Sequence, residues 1–436
     1  MRRSSRRCWL VAPVAACACV EPASLPDRST DAVAAIDGRP HDSASLPDAV
    51  DDDAALDSAP PSGRLGTIER DGPSVTLRAH PAVNYRGIDG AFDPARRVFL
   101  VVYGNAPIGG AWLDEGGAQL GEGFRITDEP HRDGDWSQLP RVALGRRGWV
   151  AAWHGQSGRL AIVRARRVIA PSTQGAAPDF GGPSVDVSEP GSAQESAPSI
   201  AYAPDTDSFL VVWPRDGLEA RLLDGEGNPR GSTIRLSEPG VFVEQPAVVF
   251  HARARAFFVT FMQVVGADAH VRLARLSSAG EVLGAHRSLS GPLEFAKVTD
   301  AEYDPYAAEV IASYHAVRGG VRSFAAHRLA MDGSDRAPSR TVFAPHQSYD
   351  GYDLAFNTAT GTSFGAFHGP TADPWGAELD RDNANGAPFE VSMAGARSGV
   401  FIPRVLAHPS RAMWLVLGAA DYQRIIVQRV RRSGGP

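Results

Sequence analysis

FDPARRVFLVVY, residues Phe92 to Tyr103, lines up without a gap on YAPDTDSFLVVW (Tyr202 to Trp213) and on YDPYAAEVIASY (Tyr303 to Tyr314). FHARARAFFVTF (Phe250 to Phe261) and FNTATGTSFGAF (Phe356 to Phe367) keep the same length and frame. Two further copies diverge: one closes at Trp153 after a hairpin two residues shorter, the other reaches Gly418 after Trp414-Leu415-Val416. Each copy reads as an apolar stretch, a turn of small and polar residues, and a buried run ending on or near an aromatic. Successive copies are spaced 48 to 60 residues apart. A period near 50 is the signature of propeller blades.

Outward from that hairpin, each unit reads as four strands. Pro198-Ser-Ile-Ala-Tyr202 leads into the turn and Phe209 to Trp213 form the buried run. Ala220-Arg-Leu-Leu-Asp-Gly-Glu-Gly227 alternates into a glycine turn, and Thr233 to Ser237 complete the unit. Period-two alternation rich in β-branched and aromatic residues is the pattern of half-buried strands. The longest step contains an insertion around Ala170 to Gly182, rich in Pro, Gly and Ala, which reads as a surface loop. The chain runs out after a third strand, Ile425 to Arg429, while Ser74-Val-Thr-Leu77 stands as an orphan fourth strand before the first unit. Pairing the two leaves no open edge. The expectation is an all-β fold: a seven-bladed β-propeller of four-stranded antiparallel blades over residues 66–432, closed by an N-terminal strand that completes the last blade.

The 436 residues carry a net charge of −6, which gives no electrostatic reason to expect a nucleic-acid partner. Lys297 is the sole lysine, as codon bias in a G+C-rich genome would produce. All three cysteines, Cys8, Cys17 and Cys19, lie at the N-terminus, so the propeller holds no disulfide, thiolate metal site or cysteine nucleophile. Arg2, Arg3, Arg6 and Arg7 followed by the apolar stretch Cys8 to Val20 read as a signal peptide over residues 1–19, too short to span a bilayer. Val14-Ala15-Ala16-Cys17 resembles the lipobox of bacterial lipoproteins, which implies lipidation of Cys17. Ser5-Arg6-Arg7-Cys8-Trp9-Leu10 resembles a twin-arginine signal, so both export routes stay open. Residues 20–65, rich in Asp, Ala, Pro and Ser, bury too little apolar area to fold and read as a tether with a reach of about 35–40 Å. These features place the protein, by expectation, at the cell envelope, exported and held to a membrane through its N-terminal lipid.

The repeat resembles that of secreted bacterial lipoproteins whose propellers carry a P-x-V-A-Y…LVVW…RL-x-x-x-G pattern. The resemblance spans about residues 74–430 and implies the architecture and no defined activity. No H-E-x-x-H, P-loop, G-x-S-x-G or EF-hand motif is present, and no catalytic residue is assigned. The Asp-box of sialidase propellers is missing too, Ser348 to Gly351 being the nearest approach.

A site is instead expected where the architecture places one. First strands line the central channel, and one aligned, channel-facing position reads Asp89, Arg141, Ser199, Ala247, Asp300, Asp353 and Arg404. Its neighbours Gly90, Val142, Ile200, Val248, Ala301, Leu354 and Val405 are largely apolar, as packing between blades demands. Asp89 is expected between Arg404 and Arg141. Asp300 and Asp353, with Glu302 two residues on, are expected as an acidic cluster with no arginine in their layer, relieved by Lys297, a raised pKa, water or a cation. Were a metal to bind, Asp300 and Asp353 would hold it and Ca²⁺ would suit hard oxygen donors. The expected ligand-binding set is thus Asp89, Arg141, Lys297, Asp300, Glu302, Asp353 and Arg404. The leading expectation is a binding or scaffold module for an unknown protein or glycan. The alternative is a carbohydrate-active hydrolase or lyase of sialidase-like build, which requires carboxyls about 5–9 Å apart. A water-filled channel with solvated charges is the plainest account of the same residues.

Overall fold

The computed structural model describes residues 61–78, 87–104, 107–128, 138–157, 160–173, 175–191, 197–336, 340–343, 352–368, 374–393, 400–420 and 424–433. The expected signal segment, Cys17, and the tether up to residue 60 lie outside the described residues. Strands occupy seven antiparallel sheets, and the described residues contain no helix. Blade one is Ile88–Asp93, Val98–Gly104, Ile108–Asp114 and Gln119–Arg125. Blades two to six begin with Gln138–Gly145, Ser199–Ala203, Val243–His251, Phe295–Asp304 and Tyr352–Asn357, and blade seven with Val400–Ala407. Each first strand neighbours the first strand of the next blade, and the seventh returns to the first.

The turn between the first two strands explains the conserved frame of the repeat within this chain. Asp93 Oδ1 accepts the N–H groups of Ala95 (2.8 Å) and Arg96 (3.1 Å), and Asp304 Oδ1 accepts those of Tyr306 (3.0 Å) and Ala307 (3.1 Å). Such Asx turns need a short side chain with an acceptor at that position. The chain then passes through a left-handed residue before the second strand, at Arg97 (φ 59°), Asp207 (φ 45°), Arg255 (φ 47°) and Ala308 (φ 52°). A non-glycine residue there carries a steric penalty of about 1 kcal/mol. Burial of the second strand offsets it.

Those second strands, Val98–Gly104 and Met413–Ala420, are buried along their whole length. Phe99, Val101 and Tyr103 pack with Leu415 and Leu417 of blade seven. Leu100 and Val102 pack with Trp149 and Ala151 of blade two. Alternate residues thus serve opposite neighbours, which is why these strands read as continuous apolar runs.

Closure follows the expected route and extends it. Val75–Thr76 pair with Val427 and Ile426, and Leu77 N–H donates to Ile425 O at 2.9 Å. A second, unforeseen strand, Thr67–Arg70, pairs with Val430 to Ser433. Gly66 N–H also donates to the buried Glu378 of blade six at 2.7 Å. The insertion after blade two is more ordered than a surface loop: Asp179–Phe180 and Val185–Asp186 both pair with Leu160–Ile169. They supply the outer strand of that blade in two pieces.

Candidate functional site in the central channel

Four first strands carry a register shift beside the aligned position, at Gln138/Arg141, Glu244/Ala247, Val298/Asp300 and Phe401/Arg404. In two of them the residue before a proline is left-handed, Leu139 at φ 56° and Gln245 at φ 51°. An extra residue in the strand re-aims the side chain that follows, and here it keeps the aligned residue on the channel wall. The resulting cavity measures about 590 Å³ and is lined by the whole aligned layer together with Glu302. Glu244, Gln245 and Tyr352 line it as well, and went unnoticed in the sequence.

Three members of the layer latch their blade to the next one. Asp89 Oδ2 accepts the N–H of Val142 at 2.8 Å, Ser199 Oγ that of Val248 at 3.0 Å, and Asp353 Oδ2 that of Val405 at 2.7 Å. Each partner is the residue just after the layer position of the following blade. Ala247 has no acceptor to offer, and the N–H of Ala301 is taken by Asp300 Oδ1 of its own strand at 2.7 Å. A buried backbone N–H left without a partner costs about 1–3 kcal/mol, so these side chains contribute to the ring itself.

The charge arrangement differs from the sequence expectation. Asp89 acts on both Arg404 and Arg141, but Arg404 pairs with the other acids: its Nη1 donates to Asp353 Oδ1 and stands 3.9 Å from Asp300 Oδ2, while Nε donates to Ile88 O at 3.2 Å. The acidic pair therefore does have an arginine in its layer. Blade seven follows blade six round the ring, which brings position 404 beside position 353. Asp89 makes no ion pair among the described residues. Lys297 belongs to the first strand of blade five, opposite His315, but its side chain lies outside the described residues.

Asp300 and Asp353 are both drawn to Arg404, whose Nη1 lies 3.9 Å from Asp300 Oδ2 and pairs with Asp353 Oδ1. Burial, then the neighbouring Asp353 and Glu302 charges, hold the Asp300 carboxyl well above its ordinary range. Burial and Asp353 push Glu302 up to about 8. Burial also raises Asp353, against the opposing pull of Arg404 and the Val405 N–H. Arg404 is lowered by burial but raised overall by the Asp353, Asp89 and Asp300 carboxylates. Arg141 is pushed down to about 10 by burial and by Arg404, with Asp89 opposing. Among the described residues the Arg141 guanidinium has one hydrogen bond, to its neighbour Pro140 O at 3.2 Å, and no ion pair. The layer thus joins a crowded carboxyl pair, a committed arginine and an uncommitted one.

Phe92, Tyr202, Phe250 and Phe356 edge the cavity, and three of them pack on cross-strand aromatics, Phe92 on Phe99 at 4.5 Å, Tyr202 on Phe209 at 4.8 Å and Phe250 on Phe257 at 5.1 Å. Phe250 and Phe356 are buried, and Phe92 and Tyr202 are half-buried. Among the described residues no group of three His, Cys, Asp or Glu side chains is disposed to hold a metal ion.

Seven four-stranded blades around a channel define a β-propeller. No protein-family model matches the chain, and no curated protein matches it either. Among solved structures it is similar to the BP39L lectin of Burkholderia pseudomallei, at 14% identity and TM-score 0.55, covering 81% of this chain and 98% of the lectin. It is also similar to Raptor of Chaetomium thermophilum, at 11% identity and TM-score 0.53, covering 86% of this chain and 29% of Raptor. An oligogalacturonate lyase of Vibrio parahaemolyticus follows at 12% identity and TM-score 0.45, covering 84% of this chain and 98% of the lyase. Identities this low speak to the fold alone.

Proposed function

We propose that this protein is an exported, lipid-anchored binding or scaffold module whose recognition site is the charged central channel. The observation supporting a site there is the uncommitted Arg141 guanidinium on the wall of a 590 Å³ cavity, a volume typical of small-molecule pockets. Anchoring through Cys17 rests on the lipobox-like Val14-Ala15-Ala16 and the short apolar segment before it. The carboxyl geometry favours binding over glycoside hydrolysis. Asp300 and Asp353 share one arginine, Arg404, whose Nη1 reaches both, so neither stands as the separate, free acid and base that glycoside hydrolysis uses.

The test is a pull-down and glycan array with the residue 65–436 fragment, run beside the Arg141→Gln/Asp300→Asn double variant. Capture that is lost in the variant supports the channel as the recognition site. Equal capture by both places recognition elsewhere on the surface, and turnover of an arrayed glycan restores the hydrolase or lyase reading.

A further inference from the structure

Two electrical imbalances face each other across the cavity. Arg141 belongs to blade two, while Asp300 and Glu302 belong to blade five, three blades further round a ring of seven. The Arg141 guanidinium has a single backbone acceptor, so most of its five N–H donors point to no protein atom among the described residues. The other arginine of the layer is spent on Asp353 and Ile88 and adds repulsion rather than relief. On the blade-five side, Asp353 is taken by Arg404 and Val405, which leaves Asp300 and Glu302 as carboxyls crowded by like charge. Asp300 keeps 23% of its side chain exposed to the channel, against 3% for Asp353.

A purely anionic ligand would satisfy Arg141 but add to the crowding of carboxyls. A purely cationic one would relieve Asp300 and Glu302 but meet two arginines. One small molecule carrying both groups relieves both sides at once, and the fixed guanidinium fork selects a planar carboxylate over a point anion. We infer that the channel binds a small zwitterion of the amino-acid or short-peptide class, its carboxylate on Arg141 and its ammonium between Asp300 and Glu302. This rests on the reading of the channel as a binding site and supplies the ligand class. The latches at Asp89, Ser199 and Asp353 fix the walls in advance, so little ordering remains to be done on binding.

The experiment is isothermal titration of the full-chain protein in detergent with glycine, diglycine and triglycine, which vary the separation of ammonium and carboxylate. Two end-blocked probes follow, N-acetyl-diglycine and diglycine amide. The expected result is saturable binding of at least one free zwitterion, at least tenfold weaker for both blocked forms. Arg141→Gln should lose the same tenfold and Arg141→Lys should recover part of it, since a lysine restores the charge without the fork. Arg141→Gln removes one hydrogen bond, so an unchanged melting temperature shows that the variant is folded. Equal affinity for free and acetylated probes, or no binding of any zwitterion, overturns the inference. If the pull-down partner still depends on Arg141 in that case, the ligand class fails while the channel site stands. If nothing depends on Arg141, both fail.

Discussion

Asp353 of blade six accepts the backbone N–H of Val405 of blade seven at 2.7 Å, so a channel carboxylate doubles as a fastener between blades. Its second oxygen receives Arg404. Asp353→Ala therefore strips a buried N–H and a buried guanidinium of their acceptor together. A loss of about 3–5 kcal/mol is expected, the range for breaking a buried pair from one side. Chemical denaturation of wild type and variant measures it. A loss below 1 kcal/mol would mean that the pair is dispensable.

Asp300→Asn should act in the opposite direction. Asp300 accepts one N–H within its own strand and has Arg404 at 3.9 Å, but burial and the Asp353 and Glu302 charges outweigh that pull. Replacing it by an uncharged isostere removes repulsion and keeps the acceptor, so the melting temperature should hold or rise. A fall as large as that of Asp353→Ala would show that the attraction to Arg404 holds the ring more than the repulsion loosens it.

Stability should fall as pH rises through neutrality. Glu302 titrates at about 8 in the folded chain, whereas an unfolded glutamate does so near 4.3. Between those values the folded state holds a proton that the unfolded state has lost, so unfolding becomes easier as pH rises. Asp300 is shifted the same way and adds to the trend. Each pH unit over which only the folded state is protonated removes at most about 1.4 kcal/mol per group, less where channel water reaches the carboxyl. Melting curves at pH 5, 6.5 and 8 should descend in that order, and Glu302→Gln should flatten the series. A series flat in the wild type would place Glu302 at an ordinary pKa.

Removal of the closing strands should be costly. A fragment beginning at residue 82 lacks the pairing of Thr67–Arg70 and Val75–Thr76 with the last strand and loses the buried Leu77. Eight or so backbone hydrogen bonds at about 0.5–1.5 kcal/mol each set the scale, on the order of 5 kcal/mol. That corresponds to a drop in melting temperature of about 6 °C for a domain of this size. A fragment beginning at 61 should match the full chain.

Calcium should leave the melting curve unchanged. Asp353 is already committed to Arg404 and Val405, and the Arg404 guanidinium 3.9 Å from Asp300 repels a divalent cation there. Millimolar Ca²⁺ against EDTA tests this, and a rise abolished by Asp300→Asn would restore the cation site.

The blade hairpins were legible because their chemistry is local. An acceptor such as Asp93 or Asp304, a four-residue turn and a buried run lie within twelve consecutive residues, so alignment alone fixes the strands. The same alignment placed the layer from Asp89 to Arg404 on the channel wall. It failed on partners, since which acid Arg404 meets depends on how far a long side chain reaches across the seam between blades. The single-residue bulges beside Arg141, Ala247, Asp300 and Arg404 left no mark beyond prolines such as Pro140 and Pro246. The latch function of Asp89 and Ser199 was equally hidden, because the groups they accept are backbone N–H groups with no side-chain signature.

Thr67 lies opposite Ser433, a contact between residues 366 positions apart in the chain. Loop closure over so great a separation is entropically slow and nothing shorter substitutes for it. During synthesis Thr67–Arg70 waits with its edge bare until Arg424–Ser433 arrives, so the ring has no closed form until the third strand of the seventh blade has been translated.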